Sequence, residues 1–275
     1  MTPIDKLWRY DGKRAVVTGC ASGIGAHVAQ QLTALGADVV GLDMRPPAVE
    51  LKDFITLDLS DPASIDQATA QLVGKPSGQI DALFNVAGVS SGIGDPLRVV
   101  TVNFLGTRAF TEAVIPLMPP GSAIANVSSL AASAYRQNAT ATAGLVNTAT
   151  LEEGIDWCGH HPEALSDGGG YRLSKEAIIL YGMANVAALG AKGIRINCTA
   201  PGVTDTPILD QLRSAYGQGF LDSFQTPLGR AAEPGEQASV LVFLNSQAAS
   251  YLTGQVIWVD GGAFGDRQRH DLWPV

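Results

Sequence analysis

Residues 18–25, TGCASGIG, limit the possible folds of this chain more than any other segment. They follow RAVVTG (14–19), a run typical of a buried strand, and lead into apolar residues at helical spacing, namely Ile24, Val28, Leu32 and Leu35. Glycines between a strand and a helix let the backbone approach a pyrophosphate, whose charge the helix N-terminus favours. A tight turn without a ligand has the same pattern. The predicted phosphate-binding residues are Gly19, Cys20, Ala21, Ser22, Gly23, Ile24 and Gly25.

The rest of the chain alternates short apolar runs with helical patterns. Further strands are predicted at 37–43, 53–58, 80–88, 122–129, 194–202 and 255–262. Helices are predicted at 61–73, at about 96–117, from near Tyr171 onward, and near 234–246. Apolar strands that alternate with helices favour a parallel sheet covered on both faces. We therefore expect an α/β fold with a doubly wound parallel sheet, in which residues 1–275 form a single domain.

Composition and charge narrow the classes of function. Lys and Arg number 18 against 26 Asp and Glu, which gives a net charge of −8, and no basic run suggests a nucleic-acid surface. The longest apolar run, 178–191, is too short to span a bilayer, and residues 1–14 lack the apolar core of a signal peptide. Three cysteines without a CxxC pair fit free thiols in a reducing compartment. We expect a soluble cytoplasmic protein without nucleic-acid or membrane partners.

Polar residues follow the predicted strands at the edge where such sheets bind ligands. Asp43 ends the second strand, 18 residues beyond Gly25, where a carboxylate accepts hydrogen bonds from an adenosine ribose. The charge of Asp43 repels a 2′-phosphate and so favours NAD over NADP. Arg45 follows two residues later, and because of this basic residue NADP remains an alternative cofactor. Further predicted cofactor contacts follow the third and fourth strands: Asp58, Leu59, Asn85 and Gly88.

The order of the motifs resembles that of the short-chain dehydrogenases/reductases. The matching segments, spread over about residues 12–262, are TGCASGIG, NVAG, VNFLG, NVSS, YRLSK, APGVTDTP and VDGG. The resemblance implies a single-domain Rossmann fold with its active site at the carboxyl end of the sheet. It also supports NAD, because NADP-preferring members often have a basic residue at the position of Ser22.

Four residues match the catalytic set of that family: Asn103, Ser129, Tyr171 and Lys175. Tyr171 is expected to exchange the proton of the substrate hydroxyl, while Ser129 holds the substrate oxygen. Residues four apart share a helix face, so Lys175 can lower the pKa of the phenol. The resemblance further implies that Lys175 holds the nicotinamide ribose and that Asn103 positions a water. It also implies nicotinamide contacts by Thr204 and Thr206.

Each of these assignments has a structural alternative. A tyrosine and a lysine at this spacing occur on many ordinary helices. Ser128 is an alternative to Ser129 as the substrate contact, although a strand alternates its faces and the family pattern favours the second serine. Asn103 has an alternative role as a helix residue bonded to neighbouring backbone. The segment of Thr204 and Thr206 is alternatively a plain loop before a helix that has Pro207 in its first turn.

An insert separates this chain from the common family pattern. Ser129 and Tyr171 are separated by residues 130–170, far more than the usual dozen, and TLEE (150–153) predicts a helix that ends near His160. The resemblance is to a bacterial branch that contains 3α-hydroxysteroid dehydrogenase/carbonyl reductase. Metal-capable side chains in the insert match no zinc spacing, so we expect solvent-facing residues and no metal at Cys158, His160, His161, Asp156 and Glu163. The polar tail, 263–275, has no assigned role.

The sequence therefore predicts an NAD-dependent oxidoreductase that interconverts a secondary alcohol and a ketone. The resemblance implies a hydroxysteroid or a similar bulky apolar substrate. Oxidation of a cis-dihydrodiol or a terpene alcohol is an alternative with the same catalytic residues, and a non-catalytic NAD-binding regulator is another. Family members imply a homodimer or a homotetramer.

Overall fold

In a computed structural model, the described residues are 3–74, 78–166, 168–222 and 226–272. Seven parallel strands form one sheet in the order β3-β2-β1-β4-β5-β6-β7. The strands are β1 Arg14–Thr18, β2 Asp38–Asp43, β3 Asp53–Thr56, β4 Ala82–Asn85, β5 Ala123–Val127, β6 Arg195–Pro201 and β7 Val256–Val259. The strand order reverses between β1 and β4, and the carboxyl ends of strands at such a point form a ligand-binding crevice.

Helices cover both faces of the sheet, as a doubly wound fold requires. In chain order they are α1 Gly23–Ala34, α2 Pro62–Val73, α3 Pro96–Val100, α4 Thr107–Val114, α5 Ala139–Val146, α6 Leu151–His160, α7 Gly169–Gly190, α8 Pro207–Tyr216, α9 Gln218–Asp222, α10 Pro234–Asn245 and α11 Ala263–Leu272. A π-helical turn, Thr101–Gly106, joins α3 to α4. One core lies between the sheet and α1 with α10, and the other lies beneath α2, α4 and α7.

The predicted α/β fold is confirmed. The predicted helix at 96–117 is continuous helical chain, but the π-helical turn interrupts it and a 3-10 turn, Ile115–Leu117, ends it. A π turn adds one residue to a helical turn, and no periodicity of apolar residues reports it. No helix among the described residues has the length and apolar character needed to cross a membrane.

The insert contains the predicted helix. Thr150 precedes α6 and its hydroxyl accepts the N–H of Glu153, whose carboxylate accepts the N–H of Ala149. The helix ends at His160, as predicted. Apolar side chains of the insert lie in the same core as the sheet and α7: Ala132, Tyr135, Leu145, Leu151 and Cys158. In the polar tail, α11 covers 263–272, Phe264 stacks on Trp258 at 4.0 Å, and residues 273–275 lie outside the described residues.

Candidate active site

The glycine-rich turn lies close to the carboxyl ends of its neighbours. Gly19 has a φ of +74°, and a Cβ added there would lie 2.7 Å from the Cα of Ala87, just beyond β4. A Cβ at Gly25 would meet the carbonyl oxygen of Gly19, and one at Gly23 would lie 3.3 Å from the Cγ2 of Thr206. Glycine therefore lets this turn pack closely against β4 and against its own backbone at the N-terminus of α1. That is the arrangement a pyrophosphate group needs, so these residues fit a dinucleotide.

Asp43 lies beside this turn, at the end of β2. Its carboxylate accepts the N–H of Ala21 at 3.0 Å and the N–H of Arg45 at 3.2 Å. Ser22, immediately before α1, is exposed and gives the turn no positive charge. The structure thus brings the predicted acidic group next to the predicted phosphate site.

Ser129, Tyr171 and Lys175 meet at the carboxyl edge of the sheet, between the end of β5 and the start of α7. The Ser129 side chain lies beside the Tyr171 phenol and opposes the rise of its pKa. The Nζ atom of Lys175 lies 5.7 Å from the centre of the Tyr171 ring and donates to the carbonyl oxygen of Val127 at 3.0 Å. A Cβ added to Gly88 would lie 3.5 Å from the same Nζ atom. Lys175 therefore sits between the phenol and the segment that follows β4.

Burial disfavours the charged forms of both groups in this pair. It raises the pKa of the Tyr171 phenol, and the Ser129 side chain opposes that shift. It lowers the pKa of Lys175 to about 8, and the nearby Cys198 thiol opposes that shift. Desolvation is the largest effect on the phenol, and Ser129 is the group that opposes it. The expected lowering of that pKa by Lys175 stays a prediction.

The two adjacent serines at the end of β5 have different partners. Ser128 is buried, and its hydroxyl donates to the carbonyl oxygen of Lys175 at 2.7 Å. Ser129 is half-buried, accepts the N–H of Ala131 at 3.1 Å and lies beside the Tyr171 phenol. The alternation of strand faces thus directs Ser129, and not Ser128, to the phenol.

Asn103 lies in the π-helical turn, and its amide pairs with the backbone of Val89. The Oδ1 atom accepts the Val89 N–H at 2.8 Å, and Nδ2 donates to the Val89 carbonyl oxygen at 2.9 Å. These bonds match the structural alternative for Asn103. They occupy the side-chain amide with the segment after β4, and the expected role of Asn103 in positioning a water stays a prediction.

Thr204 and Thr206 lie in the segment between β6 and α8. The Thr204 hydroxyl donates to the carbonyl oxygen of Gly202 at 3.1 Å, and the Thr206 hydroxyl donates to the carbonyl oxygen of Thr204 at 3.3 Å. The next residue, Pro207, begins α8 as expected. The contact of Thr206 with Gly23 places this segment against the glycine-rich turn.

Comparisons with known proteins agree with this geometry. Residues 13–143 match the family model described as short chain dehydrogenase, and residues 161–263 match one described as Enoyl-(Acyl carrier protein) reductase. Coniferyl-alcohol dehydrogenase from Pseudomonas sp. is 36% identical over 91% of this chain and 96% of its own length. The chain belongs to the short-chain dehydrogenase/reductase family.

Other members of the short-chain dehydrogenase/reductase family are also similar along nearly their whole length. The 3-alpha-hydroxysteroid dehydrogenase/carbonyl reductase of Comamonas testosteroni is 35% identical over 90% of this chain and 95% of its own length. The crystal structure of 3-alpha-hydroxysteroid dehydrogenase from Pseudomonas sp. B-0831 complexed with NADH superposes with a TM-score of 0.78. That structure is 28% identical, and the match covers 95% of this chain and 98% of the other. The protein is accordingly a short-chain dehydrogenase/reductase oxidoreductase.

Two predicted cofactor residues of this family member direct their side chains away from the crevice. Cys20 is buried, and a Cβ added to Gly41 would lie 2.6 Å from its sulfur. Burial raises the pKa of this thiol to about 12. Asn85 is also buried, and its Nδ2 atom donates to Thr111 and Asn126, both at 2.8 Å. Contacts of these two residues with a cofactor are therefore restricted to their backbone atoms.

Asp58 and Leu59 follow β3, as predicted, but their side chains have local partners. The Asp58 carboxylate accepts the N–H of Ser60 at 2.8 Å and its hydroxyl at 2.6 Å. Leu59 is buried in the core. The structure places this pair at the carboxyl edge of the sheet without indicating a contact through either side chain.

The metal-capable side chains of the insert are dispersed. Cys158 is buried in the core, so the expectation that it faces solvent is wrong, and burial raises the pKa of its thiol to about 11. His160 is exposed, and His161 stacks on Trp157 at 4.1 Å. Among the described residues, no three His, Cys, Asp or Glu side chains are grouped so that they could hold a metal ion.

Two buried residues that hold the surroundings of the site in place, Thr18 and Glu176, were not predicted from the sequence. The Thr18 hydroxyl accepts the N–H groups of Val86 at 3.1 Å and of Ala87 at 3.2 Å, and so fixes the segment after β4. Glu176, next to Lys175, is fully buried. The only signal for Glu176 in the sequence is an acid at the start of a long apolar helix pattern, EAIILYGMA.

Proposed function

We propose that the protein is an NAD-dependent oxidoreductase that interconverts a secondary alcohol and a ketone by hydride transfer. The observation that carries this proposal is the Ser129–Tyr171–Lys175 cluster, which lies beside Gly88 at the same sheet edge as the glycine-rich turn. The cofactor supplies the hydride acceptor when bound, and the protein supplies the acid–base groups.

In alcohol oxidation, Tyr171 in its phenolate form takes the proton of the substrate hydroxyl, and in ketone reduction the phenol gives that proton back. The Ser129 side chain lies beside the phenol, so its hydroxyl is placed to hold the substrate oxygen at the same point. Lys175, whose pKa is about 8, exchanges protons near neutral pH and stabilises negative charge on the phenol. Asn103 contributes by fixing Val89, and with it the backbone of Gly88 that borders Lys175.

The NAD preference rests on Asp43. Its carboxylate lies within hydrogen-bond distance of the turn backbone at Ala21, where a 2′-phosphate on the adenosine ribose would meet a like charge. Neighbouring Ser22 is uncharged, and the Pseudomonas sp. B-0831 relative was solved with NADH. Both features support NAD over NADP.

A hydroxysteroid, or a similar bulky apolar alcohol, is the substrate class we propose. The relatives from Comamonas testosteroni and Pseudomonas sp. B-0831 support it, since both carry the name 3-alpha-hydroxysteroid dehydrogenase. A second candidate is an aryl allylic primary alcohol, favoured by the 36% identity to coniferyl-alcohol dehydrogenase. The catalytic residues serve both classes, together with cis-dihydrodiols and terpene alcohols. We further propose a homodimer or homotetramer located in the cytoplasm.

A substrate panel with a tyrosine variant tests the function. The purified protein is assayed with a 3α-hydroxysteroid, coniferyl alcohol, a cis-dihydrodiol and a terpene alcohol, each with NAD⁺ and with NADP⁺. We expect NAD⁺ to support turnover of at least one of them. Tyr171→Phe is expected to lower kcat by at least about a hundredfold while NADH binding persists, because the acid–base group alone is removed.

The control is Tyr251→Phe, which makes the same change on a fully exposed side chain and should leave kcat unchanged. Normal turnover by Tyr171→Phe would reject the acid–base assignment. NADH binding without turnover of any alcohol would favour a non-catalytic NAD-binding protein, and turnover with NADP⁺ alone would reject the argument from Asp43.

A further inference from the structure

The helix that carries Tyr171 and Lys175 also carries a fully buried carboxylate that the proposed chemistry does not use. The side chain of Glu176 is 0% exposed and lies against the insert. Its Oε1 atom accepts from the Nδ2 of Asn138 at 2.6 Å, and its Oε2 atom accepts from the hydroxyl of Thr142 at 3.2 Å and from the Nη1 of Arg172 at 3.1 Å. Two of these three donors belong to the insert.

Reactive and supporting groups alternate along the first turns of α7. Tyr171 and Lys175 face the crevice, while Arg172 and Glu176, each one residue further on, share the next face and meet each other as an i, i+4 pair. A rotation of α7 that moved Glu176 away from its donors would turn Tyr171 by the same angle. The partners of Glu176 therefore fix the direction in which the phenol points.

Burial makes this arrangement specific. A desolvated carboxylate without partners costs several kcal/mol, so α7 is stable only in the orientation in which Glu176 meets its donors. The Glu176 side chain accepts from all three donors through its two oxygens, whereas an amide at this position offers only one accepting oxygen, so Glu176→Gln disturbs the set.

We propose that Glu176 is a positioning residue for hydride transfer: through Asn138 and Thr142, the insert sets the rotation of α7 and so the placement of Tyr171 and Lys175. The inference rests on the proposed function, since it takes Tyr171 as the acid–base group. It gives the insert a role in catalysis apart from any contact with substrate.

The test compares Glu176→Gln with a matched control in the same insert. Glu153→Gln makes the same change at a carboxylate that caps α6 and accepts the N–H of Ala149. Activity is measured with NAD⁺ and the best alcohol of the panel, and kcat is divided by the number of NADH-binding sites so that unfolded protein does not count. We expect Glu176→Gln to lower kcat per site about tenfold, with the KM for NAD⁺ unchanged, because a small misplacement of a reacting group slows chemistry strongly.

A charge exchange separates positioning from folding. In the double variant Asn138→Asp with Glu176→Gln, a carboxylate and an amide again face each other, and we expect kcat per site to recover by at least about threefold over Glu176→Gln alone. If Glu176→Gln does not fold, Thr142→Val is measured in its place. This variant removes one hydrogen-bond donor to Glu176 and is expected to lower kcat per site about threefold.

The measurements distinguish a failure of the Glu176 proposal from a failure of the proposed function. Unchanged kcat per site in Glu176→Gln or, if that variant does not fold, in Thr142→Val overturns the proposal, as does an equal loss in Glu153→Gln. Any of these results beside an inactive Tyr171→Phe leaves the proposed function intact, whereas an active Tyr171→Phe rejects that function itself.

Discussion

Two adjacent ionisable side chains, Tyr171 and Lys175, are shifted by burial in directions that disfavour charge on each. The pKa of the phenol is raised, and the pKa of the ammonium is lowered to about 8 from an ordinary 10.5. A group with a pKa near 8 gains and loses protons under ordinary conditions, which suits acid–base chemistry. The charged form of Lys175 destabilises the folded protein because it is buried. The lowered pKa therefore makes the free energy of unfolding depend on pH, which can be measured without substrate.

Lys175→Met tests that consequence. Below the folded pKa of about 8 the lysine is charged in both states, and its desolvation cost is fully present. Between about pH 8 and the ordinary value of 10.5 the unfolded chain binds more protons, so stability rises with pH. The wild type should therefore gain about 2 kcal/mol relative to Lys175→Met between about pH 7.5 and about pH 9.5. Urea unfolding at the two pH values measures the difference, and a constant gap would contradict the shift.

The placement of side chains was predictable where a motif fixes direction as well as position. Four-residue spacing on a helix places Tyr171 and Lys175 on one face, and strand alternation separates Ser129 from Ser128. Cys20 and Asn85 have the right positions in the chain, but their side chains point into the interior. The sequence does not report that direction, because it depends on the packing of Cys20 against Gly41 and on the polar partners of Asn85.

At the scale of elements, the π-helical turn Thr101–Gly106 connects the helix layer to the catalytic edge. Its Asn103 satisfies both backbone polar groups of Val89, in the loop that follows β4. π turns occur often at functional sites because they re-aim side chains within a helix. Here the turn aims an amide at a loop, and that loop in turn borders Lys175 through Gly88.

Asn103→Ala is expected to destabilise the protein by about 2 kcal/mol, because the N–H and carbonyl of Val89 lose their partners. Amide exchange at Val89 should also accelerate. The matched control in the same turn is Thr101→Val, which removes a hydroxyl that donates to the carbonyl of Leu97 in the preceding turn of helix and should cost less than about 1 kcal/mol. Urea unfolding and hydrogen exchange measure the two effects, and equal losses would argue against a special role for the amide.

The positions of strands and of most helices could be predicted from the sequence. Features that depend on tertiary contacts, such as the π-helical turn and α5, could not. Alternating apolar runs predicted seven strands in the correct places, and TLEE predicted α6 together with its end at His160. The helix α5, Ala139–Val146, has small and polar residues and lacks a clear apolar stripe. Contacts with Glu176 and Arg108 stabilise it, and such tertiary contacts leave no local pattern in the sequence.

At the scale of the whole molecule, the insert is part of the main core. Leu145, Leu151 and Cys158 pack in one apolar cluster with residues of the sheet and α7. On α6, Gly154 contacts Leu105 so closely that a Cβ would overlap it. An element packed in this way unfolds together with the rest, because its removal exposes the core beneath it.

Arg108 is the residue whose loss should reveal this dependence. It is 2% exposed, and its guanidinium donates to the carbonyl oxygens of Thr148 at 2.5 Å, Thr150 at 2.8 Å and Val146 at 3.4 Å. Arg108→Met removes the donor to the part-buried carbonyls of Val146 and Thr148 and one of the two donors to the Thr150 carbonyl, and it takes away the buried guanidinium itself. We therefore expect a loss of about 3 kcal/mol. The loss should appear in one cooperative unfolding transition, because the insert and the sheet share their core.

The control for that experiment is Arg136→Met, which removes the same charge from an exposed position in the insert and should change stability by less than about 0.5 kcal/mol. Urea unfolding is followed by both far-ultraviolet circular dichroism and tryptophan fluorescence, to which Trp157 of α6 contributes. Coincident curves shifted together in Arg108→Met would establish that the insert unfolds with the sheet. An early fluorescence step that leaves the circular dichroism transition in place would mean that the insert detaches alone, and it would weaken the argument that the insert fixes the rotation of α7.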